Sequence, residues 1–529
     1  MKKSKADKAK KKARRAEEAP RDRFPPPGRT PREDTAAVME FYGLPQSFPA
    51  EVLAAAAKIP RTPGMRELKG RLDLRGEFVF TCDPESARDY DDALSLGTDA
   101  AGRRVLGVHI ADVSHFVKPG GAIDREAFRR STSVYLADRV VPMLPEELSN
   151  GVCSLVPGED RLAFSVFITF DADGVPVARR FAKSVIRSKA RFTYAQVMDF
   201  ISSGEKCASA FTGARSVLGI AALSRQLRAR RFAAGALDIE IPEPEVVLDA
   251  DGEMAGLVMH GTDESHQMVE ECMVAANEAV ATELRGRGVK FLARLHEPPD
   301  EERLQMLRAE MRGLGVKMGN IANRKVFSRF LQTIKAHPLY STLAVMVLRS
   351  MKRAVYDASS IGHFGLAKEY YAHFTSPIRR YPDLTLHRQL ADALAGRDAR
   401  VAPSILERQA RHTTEMEEIA NNAERSLVEI KKYRLLEAML ESGEPAVFDG
   451  VVAKCAPFGC FVEIPGLAVS GLVHVSRLSH RYVTFNENDC SLSAPGGLSL
   501  RIGVPMKVRL AAVDFHERRV DLVPVRRPE

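Results

Sequence analysis

Hydrophobic residues follow two different spacings along the chain. In the first part, continuous apolar runs at residues 78–80, 105–110 and 166–170 favour buried β-strands. Further on, apolar residues recur at the three- and four-residue intervals of a helix that buries one face. This spacing predicts helices over 266–287, 302–314, 325–336, 340–354 and 404–441. Strands followed mainly by helices indicate a mixed α/β (α+β) domain.

Both ends of the chain depart from this pattern. Residues 36–58 have helical character. After Pro445, apolar pairs such as Val451-Val452 and Phe461-Val462 alternate with Gly, Pro and Asn, which predicts an all-β barrel of short strands, of the OB-fold kind. We therefore expect four segments: a tail at 1–35, a small helical region at 36–75, the mixed domain at 76–443 and the barrel at 444–525.

The basic charge of the chain is concentrated at its N-terminus. The formal net charge is +8, from 77 Lys and Arg against 69 Asp and Glu. Residues 1–15 hold nine of the basic residues and one acidic residue, so the remainder carries 68 of each. Such a segment cannot bury enough apolar surface to fold, and Pro25-Pro26-Pro27 keeps the following residues irregular. We expect a disordered tail that either is simply solvated or tethers nucleic acid by neutralising phosphates.

The overall composition narrows the class of protein. With 45% hydrophobic and 28% charged residues, the chain resembles ordinary globular proteins, which excludes disorder over its whole length. Seven cysteines in 529 residues are too few for a disulfide scaffold and favour a reducing, cytoplasmic compartment. The chain lacks the long apolar stretch of a membrane helix and the apolar segment of a signal peptide.

An acidic cluster is the most informative segment. Asp83, Asp89, Asp91 and Asp92 lie within ten residues, directly after a predicted strand. Four carboxylates this close need a counter-charge, which a hard divalent cation such as Mg²⁺ supplies. A cation held this way activates water and neutralises charge on a phosphoryl group. The alternative is a solvated acidic loop, and calcium loops and sugar-nucleotide sites also contain such runs.

A second segment, residues 371–383, carries the complementary charge. Ser376-Pro377 and Pro382-Asp383 are residue pairs typical of helix starts. Arg379 and Arg380 would then lie beside helix N-termini, where anions are favoured, and a bidentate guanidinium beside a carboxylate-held metal is suited to binding a scissile phosphate. The alternative is a purely structural Arg–Asp network.

These two segments, in this order, resemble the catalytic domain of the ribonuclease II and ribonuclease R family, the RNB domain. Two more stretches, residues 133–155 and 265–299, are similar to the same family, and the resemblance covers roughly residues 36–525. It implies a hydrolytic, processive or semi-processive 3′-to-5′ exoribonuclease. Single-stranded RNA would be its substrate, and nucleoside 5′-monophosphates and a short oligonucleotide would be its products.

The resemblance also implies roles for particular residues. Asp83, Asp89 and Asp92 resemble the family's Mg²⁺ ligands, with Mn²⁺ as the alternative ion. Asp91 resembles the aspartate without which cleavage is lost, and it is also a candidate metal ligand. Arg379 resembles the arginine that holds the phosphate at the scissile bond.

Other positions resemble residues that contact RNA. Tyr135 resembles an aromatic residue that stacks on bases near the 3′ end, although a core tyrosine is the alternative. Glu424 resembles a glutamate at the terminal nucleotides, or else lies on the exposed face of a long helix. Glu270 and Glu271 are further candidates, but adjacent helical residues point about 100° apart, so only one of them can face the site.

The C-terminal barrel resembles the S1 type of RNA-binding domain. Phe458, Phe461 and His474 resemble its base-stacking surface, and Lys454 and Arg477 are available for phosphates. Stacking of this kind is worth about 1–3 kcal/mol per base. Either phenylalanine could instead belong to the barrel core.

One departure and two rival functions complete the expectations. Members of the family usually carry two cold-shock-type OB domains ahead of the catalytic domain, and the 82 residues before Asp83 are too few for them. We expect the helical region and the basic tail to replace them in part.

The protein is expected to be a cytoplasmic monomer. Two alternative functions are a catalytically silent RNA-binding protein and a metal-dependent enzyme that acts on a phosphate outside nucleic acid. The intact acidic set with Arg379 argues against the first alternative. The RNA-binding barrel argues against the second.

Overall fold

The computed structural model describes residues 24–204, 213–240, 243–319, 321, 323–337, 339–359, 362–443, 446–486, 490–515 and 517–526. The basic residues 1–15, and with them the predicted nucleic-acid tether, lie outside the described residues.

The N-terminal region is more ordered than its composition predicts. We expected an irregular tail through residue 35, but residues 24–35 pack against the molecule and include a 3₁₀ turn, Pro31–Glu33. The reason is Asp34, which is fully buried and paired with Lys431 and Arg434. The predicted helical region follows as α1 (Asp34–Phe41), α2 (Ala50–Ala56) and α3 (Met65–Leu68).

A mixed sheet of seven strands forms the centre of the larger domain. The strands of this region are β1 (Leu72–Asp73), β2 (Phe80–Cys82), β3 (Asp92–Thr98), β4 (Arg104–Ala111), β5 (Val134–Tyr135), β6 (Val140–Val141), β7 (Asp160–Phe170), β8 (Pro176–Arg187) and β9 (Ala190–Phe192). The order across the sheet is β1-β8-β7-β4-β3-β2-β9, while β5 and β6 pair only with each other. The outermost pairs are parallel and the inner pairs antiparallel. Two of the predicted apolar runs lie within β4 and β7, and the first leads into β2.

The two faces of this sheet bury separate hydrophobic cores. Successive strand residues point to opposite faces, so Leu94 joins one core while its neighbour Ala93 joins the other. The helices of the domain are α4 (Val113–Phe116), α5 (Ala122–Arg130), α6 (Tyr194–Ser203), α7 (Ala214–Ala233), α8 (Glu264–Gly286), α9 (Glu301–Gly313), α10 (Arg324–Lys335), α11 (Tyr340–Ser350), α12 (Tyr381–Leu394) and α13 (Pro403–Glu441). Helices α6, α7, α8 and α12 cover the first face, and α2 and α5 lie over the second. The five helices predicted from spacing are α8, α9, α10, α11 and α13.

Two small ribbons lie outside the central sheet. They are β10 (Glu243–Leu248) with β11 (Met254–His260), and β12 (Ala293–Leu295) with β13 (Val355–Asp357). The first ribbon and the hairpin β5–β6 both contact the long helix α13. This helix spans the domain and leads directly towards the C-terminal barrel.

The predicted C-terminal barrel is present. Its elements are β14 (Val447–Ala456), β15 (Gly459–Ile464), β16 (Val469–His474), α14 (Val475–Leu478), β17 (Thr484–Asn486), β18 (Ser491–Ala494), β19 (Leu498–Leu500), β20 (Pro505–Asp514) and β21 (Arg519–Pro524). The closed order is β14-β15-β16-β21-β20, which leaves these five strands without an open edge. Gly459 permits the close approach of β15 to β16, because its φ is +149° and a Cβ there would lie 2.3 Å from the carbonyl oxygen of Val473.

The structure also describes the state of most cysteines and the character of the helices. The six described cysteines are free thiols, five of them buried. Among the described residues, no helix combines the length and the apolar character that crossing a bilayer requires.

Candidate active site

The acidic cluster lies at one end of the central sheet, between β2 and β3. Asp83 directly follows β2, and its N–H donates to the carbonyl oxygen of Phe192 in β9 at 3.1 Å. Asp92 is the first residue of β3, and the carbonyl oxygen of Asp91 accepts from the N–H of Ala111 at 2.8 Å. These backbone bonds fix Asp83, Asp91 and Asp92 to the ends of strands rather than to a solvated loop.

Burial makes these carboxylates hard to ionise. Burial, together with the nearby Asp92, raises the pKa of Asp83 to about 7. Burial raises the pKa of Asp92 to about 6 against the opposing field of Arg379. It also raises the pKa of Asp91 well above its ordinary value. A solvated acidic loop would not shift its carboxyl groups in this way, and the positive charge of Arg379 only partly offsets the effect of burial.

Two oxygens of the cluster have no hydrogen-bond partner. They are Oδ2 of Asp83 and Oδ2 of Asp91, both buried. Within the ranges that the structure describes, no three His, Cys, Asp or Glu side chains are grouped to hold a metal ion by themselves. A cation bound here would therefore complete its shell with waters and substrate oxygens, which is a common arrangement for Mg²⁺. The donor set fits a hard divalent cation shared between protein and substrate.

The raised pKa of Asp92 leads to a prediction about the stability of the Asp92→Asn variant. A carboxyl group whose pKa is higher in the folded than in the unfolded protein lowers stability as the pH rises through that pKa. Removing the charge should therefore stabilise the metal-free protein at pH 8, by about 1–2 kcal/mol, with the gain fading towards pH 4. Melting temperatures in EDTA across this pH range measure the effect.

Asp99→Asn is the matched control, since it removes the same charge from the other end of the β3 region. Asp99 accepts hydrogen bonds from Arg103 and Ala101, and these bonds lower its pKa. We expect no stabilisation from this substitution. An equal rise in melting temperature for both variants would show that the gain comes from net charge and not from the cluster.

Arg379 faces the acidic cluster from the turn that precedes α12. Its Nε lies 3.6 Å from Oδ2 of Asp91, and its side chain remains 43% exposed. The N–H of Ile378 donates to Oδ1 of Asp91 at 2.9 Å, so the turn and the carboxylate are locked together. The carbonyl oxygen of Arg379 accepts from the N–H of Ser133 at 3.0 Å. The guanidinium is thus anchored at its base, and at its tip Nη2 donates one long bond to Oγ of Ser376 at 3.3 Å.

Arg380 has a different role from the one predicted. Its guanidinium donates two bonds to Asp383, at 3.0 and 2.8 Å. Asp383 is fully buried and also accepts from the N–H of Ser376 at 2.8 Å. Arg380 therefore holds the shape of the turn, and its contact with RNA stays a prediction. Arg380 belongs to an Arg–Asp network, whereas Arg379 pairs only loosely with Asp91 and keeps 43% of its side chain exposed.

Tyr135 and Glu424 meet at the edge of the acidic cluster. Tyr135 is 41% exposed, which excludes the alternative of a core tyrosine. Its hydroxyl donates to Oδ2 of Asp89 at 3.3 Å. Its N–H donates to Oε1 of Glu424 at 2.8 Å, so Glu424 is not merely on the exposed face of α13. The structure brings Asp89, Tyr135 and Glu424 together, with the tyrosine ring presented to solvent.

The two glutamates of α8 are separated by their burial. Glu271 is buried and accepts from Nε of Arg231 at 3.0 Å. Glu270 also accepts from Arg231, at 2.9 Å, but its side chain is 45% exposed. Of the pair, Glu270 is thus the more accessible residue, and contact of either residue with RNA stays a prediction.

The candidate stacking residues of the barrel lie close to one another. Phe458 is 49% exposed, and its ring packs edge-on against Phe461 with centroids 6.1 Å apart. Lys454 lies opposite Phe461 on paired strands, and His474 lies opposite Gly459 beside Phe458. Phe461 is half-buried, so it contributes to both the barrel and the surface.

Tyr194 is a site residue that the sequence reasoning missed. It begins α6, two residues after Phe192, the strand partner of Cys82. Its ring stacks on His266 with centroids 3.9 Å apart. Its pKa is raised by burial and by the charges of Cys82, Asp92 and Asp83. The available sequence signal was the Thr193-to-Gln196 capping box, which marks a helix start but not its proximity to the aspartates.

Comparison with known proteins agrees with this architecture. A model of the RNB domain family matches residues 71–396, and a model of the S1 RNA binding domain matches residues 442–523. The fold and the site therefore define an RNB-domain nuclease with an appended RNA-binding barrel.

Individual relatives narrow the family. Ribonuclease R of Thermotoga maritima is 38% identical over 96% of this chain and 74% of its own length. Ribonuclease R of Escherichia coli is 33% identical over 91% of this chain and 60% of its own. The structure of Mycoplasma genitalium RNase R in complex with ribose-methylated single-stranded RNA superposes with a TM-score of 0.85, at 28% identity, covering 94% of this chain and 78% of that one. The chain belongs to the ribonuclease R family and is a 3′-to-5′ exoribonuclease.

A further neighbour shows the fold alone. Yeast Ssd1, described as a pseudonuclease, superposes with a TM-score of 0.71 at 19% identity, over 88% of this chain and 58% of that one. The fold is thus compatible with a loss of cleavage. The aspartates and Arg379, rather than the architecture, are therefore the features that bear on activity.

Proposed function

We propose that this exoribonuclease hydrolyses single-stranded RNA one nucleotide at a time with the help of Mg²⁺, and releases nucleoside 5′-monophosphates. We further propose that it acts as a cytoplasmic monomer. The observation that carries the proposal is the acidic cluster, two of whose buried oxygens have no hydrogen-bond partner, facing an anchored and partly exposed arginine. A hard cation and an RNA phosphate together neutralise both groups.

Binding of the scissile phosphate is the proposed role of Arg379. Its base is held by Ser133 and by the turn at Ile378, so the guanidinium is presented in one direction. Its exposed tip can donate two parallel hydrogen bonds to phosphate oxygens, which fixes the phosphate as well as balancing its charge. The phosphate would then lie beside Oδ2 of Asp91, which is 3.6 Å from Nε of Arg379.

Water activation is the proposed role of Asp91. Its Oδ1 is held by the N–H of Ile378, while its Oδ2 has no hydrogen-bond partner. Its raised pKa makes Oδ2 a better proton acceptor than an ordinary aspartate. Water would lose a proton to Oδ2, its oxygen would bond to phosphorus, and the bond to the 3′ oxygen of the preceding nucleotide would break.

The cation would be held by Asp83 and Asp92, with Asp89 and Asp91 completing the candidate set. When bound, Mg²⁺ supplies positive charge that lowers the pKa of water and stabilises the developing charge on the phosphate. Mn²⁺ has the same preference for oxygen and is the alternative ion.

Single-strand selection is proposed to come from stacking without sequence readout. Tyr135 offers an exposed ring at the acidic cluster, and Phe458 offers another on the barrel, with Phe461, His474 and Lys454 around it. Aromatic faces accept any base that is not already stacked in a duplex. Glu270 and Glu424 lie on two different helices, and Glu424 contributes by holding the backbone of Tyr135.

Tyr135→Ala tests the stacking role. We expect RNA affinity to fall by about 1–3 kcal/mol, the usual contribution of one stacked base. Tyr135→Phe keeps the ring and loses only the hydroxyl bond to Asp89, so its affinity should stay close to that of the wild type. Titration of a fluorescent single-stranded RNA in EDTA, which prevents cleavage, gives both values. Equal losses in the two variants would assign the effect to the hydroxyl and contradict stacking.

A gel time course tests the proposed function as a whole. The substrate is a 5′-labelled single-stranded RNA of about 30 nucleotides, longer than the roughly 4–16 nucleotides that one OB fold covers. In Mg²⁺ the label should move through a ladder to a short limit product, and EDTA should stop the ladder. Immediate appearance of a labelled mononucleotide would indicate degradation from the 5′ end, and tight binding without cleavage in Mg²⁺ or Mn²⁺ would support the silent RNA-binding alternative.

A further inference from the structure

A strap of residues at the N-terminus joins the barrel to the catalytic domain. This N-terminal strap, residues 24–41, consists of an extended segment, the 3₁₀ turn and helix α1. It begins beside the barrel, follows α13, and ends against the hairpin β5–β6 that carries Tyr135. Val38 and Met39 of the strap share one buried cluster with Val134 and Leu427. The strap therefore contacts both the barrel and the hairpin β5–β6, which carry the candidate stacking residues.

A buried ionic cluster fastens the middle of the strap to α13. Asp34 is fully buried and accepts from Nζ of Lys431 at 2.9 Å. The guanidinium of Arg434 donates to both of its oxygens at 2.7 Å. The same two cations also bond to strap carbonyls, Lys431 to Pro31 at 2.5 Å and Arg434 to Gly28 at 2.6 Å. Removing one partner of such a cluster leaves a buried charge uncompensated, so Asp34 is the point on which the strap depends.

The first described residue of the strap contacts the barrel. The Phe24 ring packs edge-on against Tyr433, near the end of α13, with centroids 6.4 Å apart. Tyr433 packs in turn against Phe515, which follows β20, at 5.5 Å. The guanidinium of Arg518 lies 5.3 Å from the centroid of Phe24. Phe24 thus links the last turns of the long helix to the β20–β21 hairpin of the barrel.

A third contact ties the strap to the ribbon β10–β11. Nζ of Lys431 donates to the carbonyl oxygen of Gly252 at 2.6 Å, and Arg32 pairs with Asp251 in the same turn. The strap, helix α13, the ribbon and the barrel are consequently joined through one buried point.

We propose that the N-terminal strap fixes the barrel and the Tyr135 hairpin in one mutual arrangement, so that a single RNA strand engages both, with Asp34 as a positioning residue for processive degradation. The proposal rests on the proposed exoribonuclease function. Two linked binding surfaces hold one ligand far better than either alone, but only while their geometry allows both to be engaged. A barrel free to turn on α13 would lose this advantage without any change at the acidic cluster.

The test compares long and short RNA in the Asp34→Asn variant. We expect the nucleotides removed per binding event from an RNA of about 30 nucleotides, measured with excess unlabelled RNA as a trap, to fall about fivefold or more. The rate on an RNA of about five nucleotides, which engages the catalytic site alone, should stay within about twofold of the wild type. Glu40→Gln is the matched control, since it removes an exposed charge from helix α1 of the strap itself and should leave both values unchanged.

A second variant guards against loss of folding. Phe24→Ala leaves the ionic cluster intact and removes only the contact with the barrel, and it should lower processivity in the same direction. Unchanged processivity in both variants would overturn the proposal. Equal losses on the long and the short RNA would assign the strap to fold stability alone, which also overturns it. A wild-type protein that cleaves neither RNA would instead overturn the proposed function, so the two failures are distinguishable.

Discussion

Asp91→Asn should abolish RNA cleavage while leaving RNA binding intact. Asparagine preserves the shape of the side chain and can still accept the N–H of Ile378 at Oδ1. It cannot take a proton from water at the position of Oδ2, the buried oxygen that has no hydrogen-bond partner. We expect the rate constant for cleavage to fall by about 10³-fold or more, comparable to the loss of a central transition-state interaction. Single-turnover cleavage and RNA affinity, measured on the same preparation, separate the two effects.

Glu85→Gln is the matched control for this variant. It removes one negative charge from the same loop, but Glu85 is exposed and outside the buried cluster. Its cleavage rate should match that of the wild type. Substantial activity in Asp91→Asn, within about tenfold of the wild type, would remove Asp91 from the chemistry and contradict the water-activating role.

Arg379→Ala should give the second largest loss. The alanine variant keeps the turn but loses the cation that faces Asp91, so the phosphate is neither fixed nor neutralised on that side. We expect kcat to fall by about 10²–10³-fold. Arg379→Lys should recover only part of this activity, because an ammonium group cannot reproduce the two parallel bonds of a guanidinium. Steady-state kinetics on a short RNA separate kcat from KM.

The neighbouring arginine provides the contrast. Arg380 is bonded twice to the buried Asp383, so Arg380→Ala should lower the melting temperature by several degrees. Arg379→Ala should leave the melting temperature nearly unchanged, because its partly exposed guanidinium makes only a 3.3 Å bond to Ser376 and a 3.6 Å ion pair with Asp91. A variant pair in which Arg380→Ala is stable and inactive, and Arg379→Ala is active, would reverse the assigned roles.

Local sequence patterns were sufficient to predict several helices and strands and the two segments that carry the candidate catalytic residues. The helical spacing around Met268 and Val269 gave α8, and the apolar runs gave β4 and β7, because each of these elements buries a face within its own length. The acidic cluster and Arg379 were found for a similar reason, since their residue types are concentrated in two short segments.

Long-range contacts decided the remainder. Asp34 pairs with Lys431, 397 residues away in the sequence, so composition alone placed it in an irregular tail. Which of Glu270 and Glu271 faces the site depends on Arg231 of another helix, and the stacking of Tyr194 on His266 joins two distant segments. The pairing of Arg380 was easier to predict from the sequence, because its partner Asp383 lies only three residues further on. An Arg–Asp network was accordingly one of the alternatives.

Hydrolysis of RNA into nucleoside 5′-monophosphates is tested most directly by mass spectrometry of the products formed in ¹⁸O-labelled water. A single-stranded RNA is digested to completion in Mg²⁺ and the released mononucleotides are weighed. If water attacks phosphorus as proposed, each mononucleotide released is a 5′-monophosphate carrying one heavy oxygen on its phosphate. Cyclic or 3′-phosphates, 5′-phosphates without the label, or intact RNA bound to the protein would contradict the account.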